Sequence, residues 1–421
     1  MSVSETRSIS LDNIYRARTR LRGIAKHTAL EYSPSLSERY ECEIWLKRED
    51  QQVVRSYKIR GAYNKMASLS RAELDRGIIC ASAGNHAQGV ALACRKLQAH
   101  GKIFMPSTTP AQKINKVKSF GREFVEIILG GDTFDESQNA AYLVAEREQL
   151  TFVHPFDDLR TIEGQGTLAL EILEDSTVDI DYLFLCLGGG GMSAGVGSVF
   201  SQLSPDTKCY GVEPAGAAAM HAAFVRGEVV TLPQIDPFVD GAAVQRAGTL
   251  TYTICKEVLE SPILTVPEGK VCTTILELYN DQGIIAEPAG ALSIASLDQM
   301  REHIRGKNVV CVVSGGNNDI TRTEEIMERS LIYEGLKRYF VINFPQRAGA
   351  LREFLDNVLG PTDDITFFEY SKKHNRERGS AVVGIQMARK EDYHALLERM
   401  QRHSIDYQPL NQFPRLFNIL V

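Results

Sequence analysis

The sequence predicts an α/β chain: a long N-terminal region built on parallel sheets, then a small α+β domain. Two observations carry that expectation. From Ile44 to Glu213, short apolar runs alternate with segments of helical periodicity, the mark of repeated βαβ units. Beyond Ile320 the order becomes strand, helix, strand, strand, helix, strand, the split-βαβ pattern.

Taken in order, residues 1–40 read as helical, with Ile14, Ala17 and Leu21 on one side. Ile44–Lys47 is an expected strand ending at Glu49 and Asp50. Lys58 opens a helix on which Lys58, Ala62, Met66 and Leu69 share a face. Ile78–Ala81 reads as a strand, Ser82–His86 as a turn and Ala87–Leu97 as a helix. Lys102–Met105 is a strand stopped by Pro106, and Ala111–Phe120 a helix ended by Gly121. The alternation continues with strand Phe124–Leu129, helix Phe134–Arg147 and a strand near Phe152. Helix Gln165–Leu173, strand Tyr182–Leu187, helix Ser193–Leu203 and strand Lys208–Glu213 follow. The charged helix Arg322–Leu336 reads as a linker, which sets a boundary near residue 335. Residues 1–335 form one region, with a smaller subdomain about 53–150, and 336–421 form the other. The second region reads as strand Tyr339–Asn343, helix Ala348–Val358, strands Ile365–Tyr370 and Ala381–Gln386, helix Tyr393–Arg402 and strand Arg415–Leu420.

Composition narrows the functional classes. The 421 residues suggest two or three domains, and 43% hydrophobic against 24% charged content supports a large core. A net charge of −6, with both signs interleaved, argues against nucleic acid as a partner. The chain lacks an apolar run of about 18 residues and opens without an apolar signal region, so we expect a soluble cytoplasmic protein without membrane contact. The eight cysteines form no C-x-x-C pair, and Cys80, Cys186 and Cys311 lie in apolar runs, as reduced core residues do. The nine histidines lack zinc-site spacing, and no metal is expected.

Four segments concentrate chemistry, and the three loops among them each follow a short apolar run. Lys58 stands in R-S-Y-K-I-R-G-A. A lysine at a helix start is usually solvated, yet the helix field and burial together lower its pKa and favour the neutral amine a Schiff base needs. Gly188, Gly189, Gly190, Gly191 and Met192 lead from a strand into a helix, where N–H groups without intervening Cβ atoms can hold a phosphate. A tight turn is the other use of such a loop. The G-x-G-x-x-G register fails at Ser193, so a nucleotide fold is the weaker use. Ser82, Ala83, Gly84 and Asn85 open a helix and can clamp a small carboxylate, or Ser82 or Asn85 can serve as its N-cap. Ser314 heads S-G-G-N; its hydroxyl can meet a buried ring nitrogen or mark an ordinary turn. Together these pieces fit a phosphorylated carbonyl cofactor. Ligands of parallel sheets bind at the carboxyl ends of strands, where these loops fall.

In this order the motifs closely resemble the fold-type II pyridoxal-phosphate enzymes, and within them the threonine ammonia-lyases, also called biosynthetic threonine dehydratases. The matching stretches are L-K-R-E-D (Leu46 to Asp50), S-Y-K-I-R-G-A, A-S-A-G-N-H-A-Q-G-V (Ala81 to Val90), G-Q-G-T-L-A-L-E (Gly164 to Glu171), G-G-G-G-M, A-E-P-A-G-A (Ala286 to Ala291) and S-G-G-N. The resemblance implies a tryptophan-synthase-β-like catalytic region of two parallel-sheet subdomains. It implies pyridoxal 5'-phosphate held by Lys58 as a Schiff base, its phosphate on Gly188 to Met192, its ring hydroxyl at Asn85 and its ring nitrogen at Ser314. Ser82, Ala83, Gly84 and Asn85 would surround the substrate carboxylate. The implied reaction is α,β-elimination of L-threonine to 2-oxobutanoate and ammonia, the first step of isoleucine biosynthesis. Lys58 would act as the base, and the cofactor phosphate as the acid for the departing hydroxyl. A serine rather than an aspartate at the ring nitrogen suits elimination over transamination.

Two departures from similar serine racemases are informative. Ala83 stands where they carry a serine that works on the opposite face of Cα, which favours a lyase. Glu213 and Ala217 match their cation ligands, but Ala219 replaces an aspartate, and one carboxylate is too few for a hard cation. The last domain resembles a single ACT-like regulatory domain through F-P-Q-R-A-G-A-L (Phe344 to Leu351). That implies feedback by isoleucine, sometimes opposed by valine, with a purely oligomeric role as the alternative. A homo-oligomer, dimer or tetramer, is expected. A catabolic L-serine/L-threonine lyase and a non-catalytic amino-acid sensor stay open as other readings. A dehydrogenase lacks the acidic residue that would read a ribose.

Overall fold

The computed structural model describes residues 9–370, 377–413, 416, 417 and 420, and divides into two compact units, 1–319 and 320–421. The first unit holds two sheets. The larger has six strands in the order Leu30–Tyr32, Glu43–Arg48, Asn308–Val313, Tyr182–Cys186, Lys208–Pro214 and Leu264–Val266. All its pairings are parallel except that of the short edge strand Leu30–Tyr32 with Glu43–Arg48. The smaller sheet is wholly parallel, in the order Val125–Leu129, Gly101–Met105, Ile78–Ala81 and Thr151–Phe152.

The central strands are buried on both faces, as their continuous apolar runs require: every residue of Tyr182–Cys186 and Ile78–Ala81 is buried. Ile14, Ala17 and Leu21 are the buried face of helix Leu11–Leu21. The expectation of helix through residues 1–40 is corrected between Leu30 and Tyr32, where the chain adds an edge strand before helix Pro34–Tyr40. Residues 1–8 lie outside the described residues. The helix expected at Gln165–Leu173 runs from Leu159 to Asp175, because the Asp158 side chain caps it by accepting from Thr161 N–H at 3.0 Å. Two glycines, Gly164 and Gly166, mask that length in the sequence.

The second unit is a four-stranded antiparallel sheet in the order Asp364–Tyr370, Arg378–Gln386, Lys337–Pro345 and Asp406–Pro409, with helices Ala350–Asn357 and Asp392–Arg402. Its own core gathers Phe340, Ile342, Phe354, Val383, Ile385, Leu396 and Met400. Helix Thr323–Tyr333 belongs to this unit. One expectation is corrected here. Among the described residues the last strand is Asp406–Pro409; of the strand expected at Arg415–Leu420, Arg415, Asn418 and Ile419 lie outside the described residues, and Leu416, Phe417 and Leu420 are helical. With Phe413 these residues are spaced by three, one and three, a helical stripe that reads as a strand only when the polar residues between are ignored. Phe417 meets the Tyr339 ring edge-on.

Candidate active site

Lys58 is the first residue of helix Lys58–Ala67. Its Nζ donates to the Pro155 carbonyl at 3.1 Å and lies 5.3 Å from the centre of the Tyr57 ring. The residue as a whole is half-buried. Burial lowers its pKa to about 8, and neighbouring Cys186 and Glu287 only partly oppose that. His86 and His154 are kept neutral by the same burial, at about 3 and 4, with the Lys58 charge adding to the effect.

The glycine loop leaves strand Tyr182–Cys186 and enters helix Gly191–Leu203. Gly190 has φ +92°, which a side chain would strain. A Cβ on Gly189 would run into the Phe156 ring. The Gly189 carbonyl accepts from Thr251 Oγ1 at 2.6 Å, and the Gly190 carbonyl from Cys255 Sγ at 3.7 Å. In a trans peptide the next N–H points opposite to the carbonyl, so the amides of Gly190 and Gly191 face away from Thr251 and Cys255. Met192 is buried in the first turn. The loop is braced from below: Asp157 accepts from the N–H groups of Thr249, Leu250 and Thr251. The segment Pro155–Phe156–Asp157 thus touches Lys58, the glycines and helix Thr249–Val258 in turn.

Ser314 follows strand Asn308–Val313 and is 1% exposed. Its Oγ donates to the Ala289 carbonyl at 3.1 Å and lies within hydrogen-bonding reach of Cys186. The Lys58 segment is stitched to this loop. Tyr57 N–H donates to Ser314 O at 3.2 Å, Gly316 N–H to Arg55 O at 2.9 Å, and Ser56 bridges Gly315.

Ser82, Ala83 and Gly84 turn the chain into helix Asn85–Leu97. Ser82 N–H donates to Phe104 O, and Ser82 Oγ accepts from Gly84 N–H at 3.2 Å. The capping alternative does not hold: the N-cap is Gly84, without a side-chain cap, because the Ser82 hydroxyl is spent inside its own turn. Asn85 donates to Glu287 Oε1 at 2.5 Å and accepts from Asn317 Nδ2 at 2.7 Å.

The structure therefore gathers the predicted residues at one place. It also adds residues that the sequence reading did not single out for the site: Glu287, Asn317, Cys186, Pro155, Phe156 and Thr251. Glu287 is 5% exposed, and burial, together with nearby Asp240, raises its pKa to about 7. Glu213 carries none of this chemistry. It accepts from the N–H groups of Met220 and His221 at 2.9 and 2.7 Å, and burial raises its pKa to about 8. Among the described residues, no cluster of three His, Cys, Asp or Glu could hold a metal ion.

Residues 21–315 match the family described as pyridoxal-phosphate dependent enzyme, and residues 328–420 match the C-terminal regulatory domain of threonine dehydratase. The chain belongs to the pyridoxal-phosphate dependent enzyme family. Within it, the chain is 55% identical over 419 residues to the biosynthetic L-threonine dehydratase of Bacillus subtilis strain 168, across 100% of this chain and 99% of that one. It is 54% identical over 413 residues to the corresponding protein of Halalkalibacterium halodurans, across 98% and 99%. Among solved structures, the processed form of threonine deaminase isoform 2 from Solanum lycopersicum superposes with a TM-score of 0.71 at 38% identity, over 78% of this chain and 99% of that one. Maize serine racemase gives 0.71 at 27% identity, over 77% and 99%. The site fits pyridoxal phosphate on its own chemistry. It offers a buried amine of lowered pKa, outward amides on a loop that excludes side chains, and a buried hydroxyl beyond them.

Proposed function

We propose that this chain is a threonine ammonia-lyase that converts L-threonine to 2-oxobutanoate and ammonia with pyridoxal phosphate. The observation that carries the reading is the linkage of Lys58 to the glycine loop through Pro155 and Phe156, with the lysine pKa brought to about 8. Bound pyridoxal phosphate supplies an electron sink for the charge left when Cα loses its proton. The amides of Gly188 to Met192 would hold the phosphate, and Asn85 would donate to the ring hydroxyl. Ser314 would meet the ring nitrogen with a hydroxyl, which has no acid strength to keep that nitrogen protonated. The turn Ser82, Ala83, Gly84 and Asn85 would receive the substrate carboxylate at a helix start on the N–H groups of Ala83 and Asn85, since those of Ser82 and Gly84 are bonded to Phe104 O and Ser82 Oγ. Lys58 Nζ takes the Cα proton, and its lowered pKa leaves a sizeable fraction neutral near pH 8.

We assign catalysis to residues 1–335, including the smaller subdomain about 53–150, and feedback control to residues 336–421. Isoleucine is the expected inhibitor, with valine opposing it. The regulatory domain match favours a biosynthetic over a catabolic L-serine/L-threonine lyase. We place the enzyme in the cytoplasm as a homo-oligomer, dimer or tetramer. Its eight cysteines are buried and none is joined in a disulfide, and no helix among the described residues is long and apolar enough to cross a membrane.

The test is direct. Purified protein is given L-threonine and L-serine in parallel, with and without isoleucine, and 2-oxo acid is followed. Faster 2-oxobutanoate formation, suppressed by isoleucine, is expected. A colourless protein inert to both substrates, or colour that survives borohydride and Lys58→Ala, would exclude the reading.

A further inference from the structure

Asn85 is held by two side chains that the reaction itself does not call upon. Its orientation follows from the hydrogen-bond directions. Asn317 Nδ2 lies 2.8 Å from the Val54 carbonyl, which can only accept, so that end of Asn317 is the amide nitrogen. The same nitrogen lies 2.7 Å from Asn85 Oδ1, which must then be the oxygen. The Asn85 nitrogen is left facing Glu287 Oε1 at 2.5 Å. An amide nitrogen carries two hydrogens; Glu287 takes one, and the second remains to offer.

We propose that Glu287 and Asn317 are positioning residues that clamp the Asn85 amide so that it presents N–H, never C=O, to the ring hydroxyl of bound pyridoxal phosphate. A flipped amide would set Oδ1 against the Glu287 carboxylate and Nδ2 against the Asn317 amino group. Both contacts would then be repulsive, so two partners of opposite kind specify one orientation. The clamp is itself anchored in the backbone. Glu287 N–H donates to Gly315 O at 3.1 Å, and Asn317 N–H hydrogen-bonds the Glu287 carboxylate. Glu287 also precedes Pro288, the first residue of helix Pro288–Ala295, so its backbone is restricted to the extended form seen (φ −78°, ψ 165°). Glu287 and Asn317 are thus hydrogen-bonded to the same loop that carries Ser314, which ties the donor for the ring hydroxyl to the partner of the ring nitrogen. This inference rests on the functional reading above.

The experiment is a double-variant cycle in the full-length protein. The dissociation constant of pyridoxal phosphate and the visible absorption spectrum of the loaded protein are measured for wild type, Glu287→Ala, Glu287→Gln, Asn85→Ala and Asn85→Ala with Glu287→Ala. Loss of one charge-assisted hydrogen bond's worth of ordering weakens binding about 10- to 100-fold in Glu287→Ala, and the absorption band shifts. Glu287→Gln, whose amide oxygen still accepts from Asn85, returns to within about threefold of wild type. In the Asn85→Ala background Glu287→Ala adds nothing further, because its partner is already gone. Unchanged affinity and spectrum in Glu287→Ala, or losses that multiply in the double variant, would overturn the clamp. Thermal unfolding reports whether each variant folds; should Glu287→Ala not fold, Asn317→Ala runs the same cycle with the same criteria. Wild-type protein that binds no pyridoxal phosphate would sink the functional reading instead, so the two failures are told apart.

Discussion

Arg60 and Glu49 form a two-pronged ion pair inside the first unit: Arg60 Nε and Nη2 each donate to one carboxylate oxygen at 2.8 Å. Arg60 is 1% exposed and Glu49 is fully buried. The other edge of the guanidinium grips Glu171 at 2.6 and 2.8 Å, and Glu171 in turn meets the buried Lys47 at 3.1 Å. Arg60 lies two residues after Lys58 on the same helix, so this network fixes where the lysine helix begins.

Truncating one partner of such a network strands a buried charge. Arg60→Ala is expected to destabilise the protein by about 3–5 kcal/mol, and Arg60→Lys recovers only part, because a point charge cannot span two carboxylates. Denaturant unfolding of the cofactor-free protein measures both. A loss below about 1 kcal/mol in Arg60→Ala would show that the network is not a structural anchor.

The motifs L-K-R-E-D, S-Y-K-I-R-G-A and G-Q-G-T-L-A-L-E supply Lys47, Glu49, Arg60 and Glu171, so much of what made the sequence recognisable is scaffold rather than chemistry. The glycine loop and Lys58 were legible because their residue types are unusual where they stand. Four consecutive glycines serve few purposes, and a lysine at a helix start opposes the helix field. Glu287 was not legible as a site residue, since a glutamate before a proline reads as the ordinary start of a helix. Phe156 and Asp157 were silent for another reason. They lie in an aperiodic turn, and their partners, Gly189 and the N–H groups of Thr249 to Thr251, are distant in sequence. Periodicity reports which face is buried but not what a loop touches. The last strand failed where a helical stripe, Phe413, Leu416, Phe417 and Leu420, resembled an apolar run.

Lys58 sets a pH signature for the cofactor-free protein. Its pKa is about 8 in the fold against 10.5 ordinarily. Between those values the unfolded chain holds a proton that the folded one lacks, so stability rises with pH across that window. Glu213 and Glu287 act earlier. Raised to about 8 and 7 from 4.5, they lower stability as pH climbs through that range. The buried cysteines Cys80, Cys94, Cys186, Cys209, Cys255 and Cys311, with pKa values raised from 9.0, pull the other way at alkaline pH, so the signature is a difference: in thermal unfolding across pH 7–11 the stability of wild type relative to Lys58→Met should rise between about pH 8 and 10.5. A difference that stays flat across that window would mean that Lys58 is not the group that titrates.

The brace beneath the glycine loop predicts a graded series. Gly190→Ala meets a left-handed backbone, costing about 1–2 kcal/mol, and also crowds Thr251 and Met220. Gly189→Ala collides with Phe156, and relief requires that ring to move. Both are expected to weaken pyridoxal phosphate binding at least about tenfold, and Phe156→Ala in the Gly189→Ala background should restore part of it. Dialysis against limiting pyridoxal phosphate reads the series. Absence of any rescue would mean that the ring is not what excludes the side chain.

The second unit has its own core and sheet, so it can be removed without cutting a strand of the first. A chain ending at Asp319 is expected to keep threonine-dependent formation of 2-oxobutanoate within about an order of magnitude, while losing its response to isoleucine. Allosteric coupling of the usual size, about 1–3 kcal/mol, corresponds to a 5- to 150-fold shift in apparent affinity, which rate measurements over a range of isoleucine concentrations resolve. The F-P-Q-R-A-G-A-L turn supplies a finer test within the full chain. Gly349 has φ +84° at the start of helix Ala350–Asn357. Gly349→Val strains that turn and should weaken isoleucine inhibition without lowering the uninhibited rate. Inhibition that persists in the shortened chain would move the effector site into the first unit, and with it the regulatory role proposed for residues 336–421.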